Sequence, residues 1–271
     1  MRFHMHGWGL MSNASRRPIS SFTIIKGSLI EETYTVFQDW DFGQSKIENF
    51  SRIREKNPIG AKSSSWLKNV TWSLSRRFEP NDRDRPLVLL AKNGCDREVW
   101  KPLLLWHMTQ DEFLLRDFLT GWLYEQFLSG AYRIRTEDVV SYIKNLLRRK
   151  DVGLKKTWSE KTIARVSSGL LRIAVDFGLM TGKLAREFIP FHLPDMSFIY
   201  LLHAMTESEL NPRRVVDSPN WHMYLMDSAD VERELFRLHQ YHKLHYEVAG
   251  SLIQLKLPFE SSAEYAKEVV A

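Results

Sequence analysis

The chain has 271 residues, of which 44% are hydrophobic and 26% are charged. These ordinary values exclude a disordered, collagen-like or low-complexity chain. Lys and Arg number 38 against 33 Asp and Glu, for a formal net charge of +5. The one cysteine, Cys95, excludes an internal disulfide and a thiolate zinc cage. No stretch supplies the roughly 18 uncharged apolar residues of a membrane span, so we expect a cytoplasmic protein without membrane contact.

The N-terminal half divides into two parts. Residues 1–20 lack hydrophobic periodicity and are predicted to be a flexible extension. The basic pair Arg16–Arg17 follows the apolar residues, which is the reverse of a signal peptide. Apolar residues at helical spacing then predict a helical bundle over 21–130, which ends at Ser129–Gly130. Its predicted helices are Leu29–Trp40, Ser45–Lys56, Ser63–Phe78, Leu87–Lys92, Asp96–Met108 and Gln110–Phe127.

The C-terminal half shows one order of elements twice. Residues 131–194 hold predicted helices at Thr136–Arg149, capped by Thr136, and Ser159–Phe177, followed by a hairpin within Leu179–Leu193. Residues 195–271 repeat this order. The repeat has predicted helices at Ser197–Ser208 and Ala229–His242 and a hairpin within Tyr246–Leu257. The predicted fold is therefore mainly α, with an N-terminal helical bundle followed by two winged-helix-like helix–hairpin units that carry short antiparallel β-hairpins.

The positive charge is local. Residues 133–190 contain thirteen Lys and Arg against six Asp and Glu, an excess of seven, and the rest of the chain is net −2. Clustered Lys and Arg side chains bind a phosphate backbone favourably, because they release its condensed counterions. This segment is therefore the predicted nucleic-acid-binding part.

The second helix of the basic segment is strongly amphipathic. An apolar stripe is predicted to face the core, while Lys161, Arg165, Ser168 and Arg172 share the opposite face. In a winged helix-turn-helix such a helix enters the major groove and the hairpin contacts phosphates. The predicted DNA-binding residues are Arg148, Arg149, Lys150, Lys155, Lys156, Lys161, Arg165, Ser168, Arg172, Lys183 and Arg186. The alternative is an ordinary solvated helix face.

The predicted helix Ala229–His242 is a candidate for a second DNA-contacting face. Arg233, Arg237 and Gln240 point away from its apolar face, on which His242 is predicted to lie. Neighbouring glutamates dilute this charge, so a packing or dimerisation helix is the alternative. The histidines near its end lack further ligands, and we expect no metal site. No nucleotide-binding or nucleophile motif occurs, so neither a cofactor nor catalysis is expected.

Four long segments resemble the BrxA family. They are SFTIIKGSLIEETYTVFQDWD (21–41), GCDREVWKPLLLWHMTQDEFLLRDFL (94–119), WSEKTIARVSSGLLRIAVDFGL (158–179) and MDSADVERELFRLHQYHKLHYEVAGSLIQLKLP (226–258). This family comprises small accessory proteins of BREX bacteriophage-exclusion systems, sometimes labelled inner-membrane proteins. The resemblance implies a fold similar to a helical RNA-binding antitermination factor, and a nucleic-acid-binding, non-catalytic role beside other BREX proteins.

Together, the residues and the resemblance predict a phage-defence accessory protein that binds duplex DNA mainly through phosphate contacts. Two other functions stay open. In the first, the chain is a protein-interaction subunit of the BREX complex, and its contact with nucleic acid is incidental. In the other it binds RNA, which rests on fold analogy alone.

Overall fold

The computed structural model describes residues 19–149, 152, 157–250 and 252–269. The predicted mainly helical class with short antiparallel hairpins is confirmed. In the N-terminal half the α-helices are α1 (Ser21–Lys26), α2 (Ile30–Gln38), α3 (Lys46–Lys56), α4 (Ser64–Arg77), α5 (Arg85–Lys92), α6 (Arg97–Asp111), α7 (Phe113–Asp117) and α8 (Tyr124–Leu128).

The C-terminal half combines helices with two small sheets. Its α-helices are α9 (Thr136–Leu146), α10 (Glu160–Asp176), α11 (Asp195–Thr206), α12 (Pro212–Val216), α13 (Ser228–Gln240) and α14 (Ser262–Glu268). Its strands are β1 (Ile134–Arg135), β2 (Met180–Thr181), β3 (Ala185–Phe188), β4 (His245–Ala249) and β5 (Leu252–Lys256).

Most predicted helix starts agree with the structure to within one residue, and a capping side chain fixes the start of α3, α4, α6, α10 and α13. The Ser45 hydroxyl accepts from the Glu48 amide while the Glu48 carboxylate accepts from the Ser45 amide, a reciprocal pair that satisfies two free donors. At α9 the predicted cap is off by one residue. Arg135 is the cap and Thr136 is already helical, because the Asp138 carboxylate accepts from the Arg135 amide at 2.7 Å.

The helix predicted over Thr136–Arg149 ends at Leu146, and two other predicted helices differ more from the structure. Gln110–Phe127 breaks at Glu112, whose carboxylate turns to bind Thr23 and Arg77, and again at a π-helical turn over Phe118–Leu123. The helix predicted to reach His242 ends at Gln240. His242 is exposed with φ +56°, because the chain reverses there into β4, so its predicted place on the apolar face is wrong.

The two sheets are antiparallel. The larger has the strand order β1-β3-β2, in which Ile134 pairs with Arg186 and Met180 pairs with Phe188. Strands β2 and β3 form a hairpin directly after α10, and β1 joins it from the residues before α9. Strands β4 and β5 form a separate hairpin after α13.

One continuous hydrophobic core runs through the described residues. Helix α1 packs on α10, and α14 packs on both α5 and α11. Early and late parts of the chain therefore share a core, and the divisions near residues 20, 130 and 194 stay a prediction. Three α-helices, α1, α12 and α14, and a 3-10 helix over Pro219–Tyr224 were not predicted. Each is at most seven residues long and too short for a periodic pattern.

Candidate nucleic-acid interface

Helix α10 separates an apolar face from a basic face as predicted. Ile163, Val166, Leu170, Ile173 and Phe177, the residue that follows the helix, are at most 5% exposed. The opposite face is open to solvent. We call four exposed residues of this face the α10 stripe: Lys161, Arg165, Ser168 and Arg172.

The charge of the α10 stripe is mostly uncompensated. Within the described part of the chain, neither Lys161 nor Arg165 has a carboxylate oxygen within 4.0 Å of its side-chain nitrogens. Arg172 lies 3.9 Å from the Asp176 carboxylate, but its side chain is 72% exposed. An exposed pair at that distance contributes little free energy, so the guanidinium stays accessible.

The hairpin beside α10 presents one of its two predicted cations. Lys183 is exposed in the turn between β2 and β3. Gly182 allows this turn: its φ is +103°, and a Cβ there would lie 2.2 Å from the Ala185 carbonyl oxygen. Arg186 was predicted to be an exposed, DNA-contacting residue of this hairpin, and it is buried instead. It is 8% exposed, and its guanidinium donates to the Thr136 hydroxyl and to the Leu184 carbonyl, each at 3.3 Å.

The predicted cluster between α9 and α10 is described only in part. Arg148 is exposed. Arg149 is also exposed and donates to the Asp117 carboxylate at 3.2 Å, and this carboxylate partly compensates its positive charge. Lys150, Lys155 and Lys156 lie outside the described residues.

Arg135 is a further exposed cation that the predicted set did not include. Its backbone pairs with Ala185 of the hairpin, which places β1 next to β3. Among the residues described, no ion pair involves the Arg135 side chain. The sequence gives no signal for this position, because the two paired residues are 50 apart and the pairing strands are very short.

The second predicted face, on α13, is electrically different. Arg233 lies 2.8 Å from Asp230, and Arg237 contacts Glu234 at 2.6 Å and Asp195. Hydrogen bonds from Arg237 and Lys243 lower the pKa of Asp195 to about 2, so this carboxylate stays ionised. Gln240 is exposed. Local carboxylates therefore neutralise both arginines of this face, unlike those of the α10 stripe.

Three buried polar side chains, Asp84, His107 and Tyr200, have the residue types of a catalytic relay. Asp84 lies 2.6 Å from Nδ1 of His107, and the Tyr200 hydroxyl lies 2.7 Å from Nε2. Burial alone would raise the pKa of Asp84, but hydrogen bonds from His107 and Arg83 lower it to about 2. All three of these side chains are at most 5% exposed. The arrangement therefore satisfies buried polar groups and offers a substrate no access.

Comparisons with known proteins give one result. The model of the BrxA family matches residues 21–204, which include α10, its hairpin and the whole N-terminal bundle. No curated protein matches the chain. Separately, no described helix combines the length and the hydropathy that crossing a membrane requires.

Proposed function

The chain belongs to the BrxA family, and from this premise we propose that it is a non-catalytic, DNA-binding accessory protein of a BREX bacteriophage-exclusion system. Family membership supplies the phage-defence context. The observation that carries the DNA-binding part is the α10 stripe, an exposed row of cations without neighbouring carboxylates at Lys161 and Arg165.

The dimensions of the α10 stripe suit a DNA duplex. From Lys161 to Arg172 the helix rises about 16 Å at 1.5 Å per residue. The major groove is about 12 Å wide. A helix in that groove brings cations at both of its ends close to phosphates of the two flanking strands. Lys and Arg at such positions supply affinity and orientation, with little sequence discrimination.

The neighbouring elements favour a winged helix-turn-helix mode. The chain order is β1, α9, α10, β2 and β3, with β1 and the hairpin in one sheet. In that motif the second helix of the pair enters the groove, and the hairpin lies along the backbone. Lys183 and Arg135 are then the phosphate contacts from the sheet. Buried Arg186 serves to hold the sheet against α9 at Thr136.

The test is a binding titration of the full chain with a fluorescent duplex at low salt. The double variant Lys161→Glu/Arg165→Glu should weaken binding about 10- to 100-fold, as expected for losing and reversing two phosphate contacts. The matched control is Lys56→Glu/Lys62→Glu, which makes the same charge change at exposed positions on and after α3. An equal loss in both variants would reject the α10 stripe and leave only a net-charge effect.

Salt dependence provides the second readout. Neutral substitution, Lys161→Gln/Arg165→Gln, should reduce the slope of log affinity against log salt by about 2, near 0.9 for each lost contact. An unlabelled single-stranded RNA competitor separates the alternatives. Displacement of the duplex by RNA at lower concentration than by unlabelled DNA would favour the RNA-binding function over the one proposed.

A further inference from the structure

Helices α3 and α4 leave an open groove between them on the N-terminal bundle. Its volume is about 550 Å³. We define the α3–α4 groove by six of its lining residues: Lys46, Ile47, Phe50, Arg54, Lys68 and Trp72. Its walls follow about two helical turns of each helix, roughly 10 Å.

Apolar side chains form the floor of the α3–α4 groove and project from both of its walls. Phe50 is 4% exposed and forms the base, whereas Ile47 is 78% and Trp72 is 53% exposed. The Trp72 ring packs on Phe22 with 4.9 Å between centroids, which holds the indole in place. Exposed large apolar side chains grouped around a recess mark an interaction site, unlike single ones scattered over a surface.

The rim of the α3–α4 groove is basic. Arg54 and Lys68 are exposed, and in the described ranges no carboxylate oxygen lies within 4.0 Å of their side-chain nitrogens. Lys46 pairs with Glu79 at 2.9 Å, but Glu79 does not line the groove. The groove therefore combines apolar contact area with two free positive charges, one on each wall.

We infer that the α3–α4 groove binds an acidic amphipathic helix of a partner protein. Such a helix places apolar residues of two successive turns into the recess against Ile47 and Trp72. Its flanking carboxylates reach Arg54 and Lys68, and this charge complementarity selects the partner. The inference stands apart from DNA binding, because it uses different helices and different cations.

Charge and shape argue against three other occupants. Residues 1–18 of the chain contain three arginines and no acidic residue, so the groove's cations repel that segment. A symmetric contact with a second copy would place basic rim against basic rim. Proteins that bind single strands stack successive bases on several aromatic side chains, whereas Trp72 is the one exposed aromatic among the described residues that line the groove.

The experiment uses the full chain and three fluorescein-labelled synthetic peptides of about 16 residues, long enough for a helix to form. One carries an apolar face of Leu and a polar face of Glu, the second has Lys in place of Glu, and the third is the scrambled acidic sequence. Fluorescence anisotropy should detect binding of the first only. Ile47→Ala and Arg54→Glu/Lys68→Glu should each weaken it about tenfold or more, whereas Lys56→Glu/Lys62→Glu should not.

Other results would overturn the inference. They are no binding of the acidic amphipathic peptide, equal binding of the scrambled one, or unchanged affinity in the groove variants. If labelled oligo-dT binds the chain but does not bind the groove variants, the groove is assigned to nucleic acid. A dimer in sedimentation that these variants dissociate would assign it to a second copy. Peptide binding should be unchanged in Lys161→Glu/Arg165→Glu, which separates this site from the α10 stripe.

Discussion

Gly169 of α10 lies directly against the backbone of Ile24 in α1. A Cβ on this glycine would be 2.8 Å from the Ile24 carbonyl oxygen and 3.1 Å from the Ile24 side chain. The contact sets how closely α1 approaches the helix that carries the α10 stripe. Because one atom is a backbone oxygen, it cannot move aside as a flexible side chain would.

Gly169→Ala should therefore destabilise the protein although alanine is the better helix former. The helix gains roughly 1 kcal/mol in propensity, but crowding against a backbone costs about 1–3 kcal/mol. We expect a net loss of about 1 kcal/mol in the free energy of unfolding, measured by urea denaturation. Ser168→Ala, one residue earlier and exposed, is the control and should gain about 0.5 kcal/mol from helix propensity. Gly169→Ala at or above the stability of that control would contradict the close approach.

His203 should make stability depend on pH. Its ring is 1% exposed, Nε2 has no hydrogen-bond partner among the described residues, and burial lowers the pKa from 6.5 to about 4. His203 therefore takes up a proton near pH 6.5 in the unfolded chain but only near pH 4 in the folded chain. Stability is complete above pH 6.5 and falls as pH drops through this window, by up to about 3 kcal/mol.

The measurement is urea unfolding between pH 4 and pH 7. His203→Phe keeps an aromatic ring beside Tyr265 and should flatten the dependence over this range. Burial also lowers the pKa of His222, with the same sign, so a smaller slope should remain. Ionised Asp84 and Asp195, with pKa values of about 2, add losses mainly below pH 4, where the carboxyls of the unfolded chain take up protons. Equal slopes in both proteins would show that His203 titrates normally.

Gly182→Ala should disrupt the hairpin and leave the core intact. Its backbone conformation disfavours any side chain, and a Cβ would overlap the Ala185 carbonyl. We expect faster hydrogen exchange in β2 and β3, and duplex affinity reduced about fivefold through misplacement of Lys183, roughly one phosphate contact. Leu184→Ala, at a 90% exposed position in the same turn, is the control. Unaltered exchange in Gly182→Ala would show that the turn tolerates a side chain.

The parts of the fold that could be predicted from the sequence are those governed by local rules. The apolar spacing of α10 and the capping residues Ser45, Asp96 and Ser159 fix where helices lie, and the structure agrees. The exposure of Lys161 and Arg165 follows from the same periodicity. For such elements the pattern within one helix is sufficient.

The features that could not be predicted depend on contacts between distant residues. Arg186 is buried because β3 pairs with β1 and meets Thr136, 50 residues earlier. The break at Glu112 depends on Thr23 and Arg77, 89 and 35 residues away. The α3–α4 groove likewise requires two helices to pack, so Arg54 and Lys68 look like ordinary surface charges in the sequence. Helical periodicity carries no information about such partners.

The position of α14 has a consequence for synthesis of the protein. Tyr265 of this helix donates to the Met196 carbonyl at 3.2 Å, and the helix covers α5 of the first hundred residues. The N-terminal bundle therefore keeps an uncovered apolar surface until residues 262–268 have emerged from the ribosome. We therefore expect the face of α5 that α14 covers to be accessible to chaperones during most of elongation.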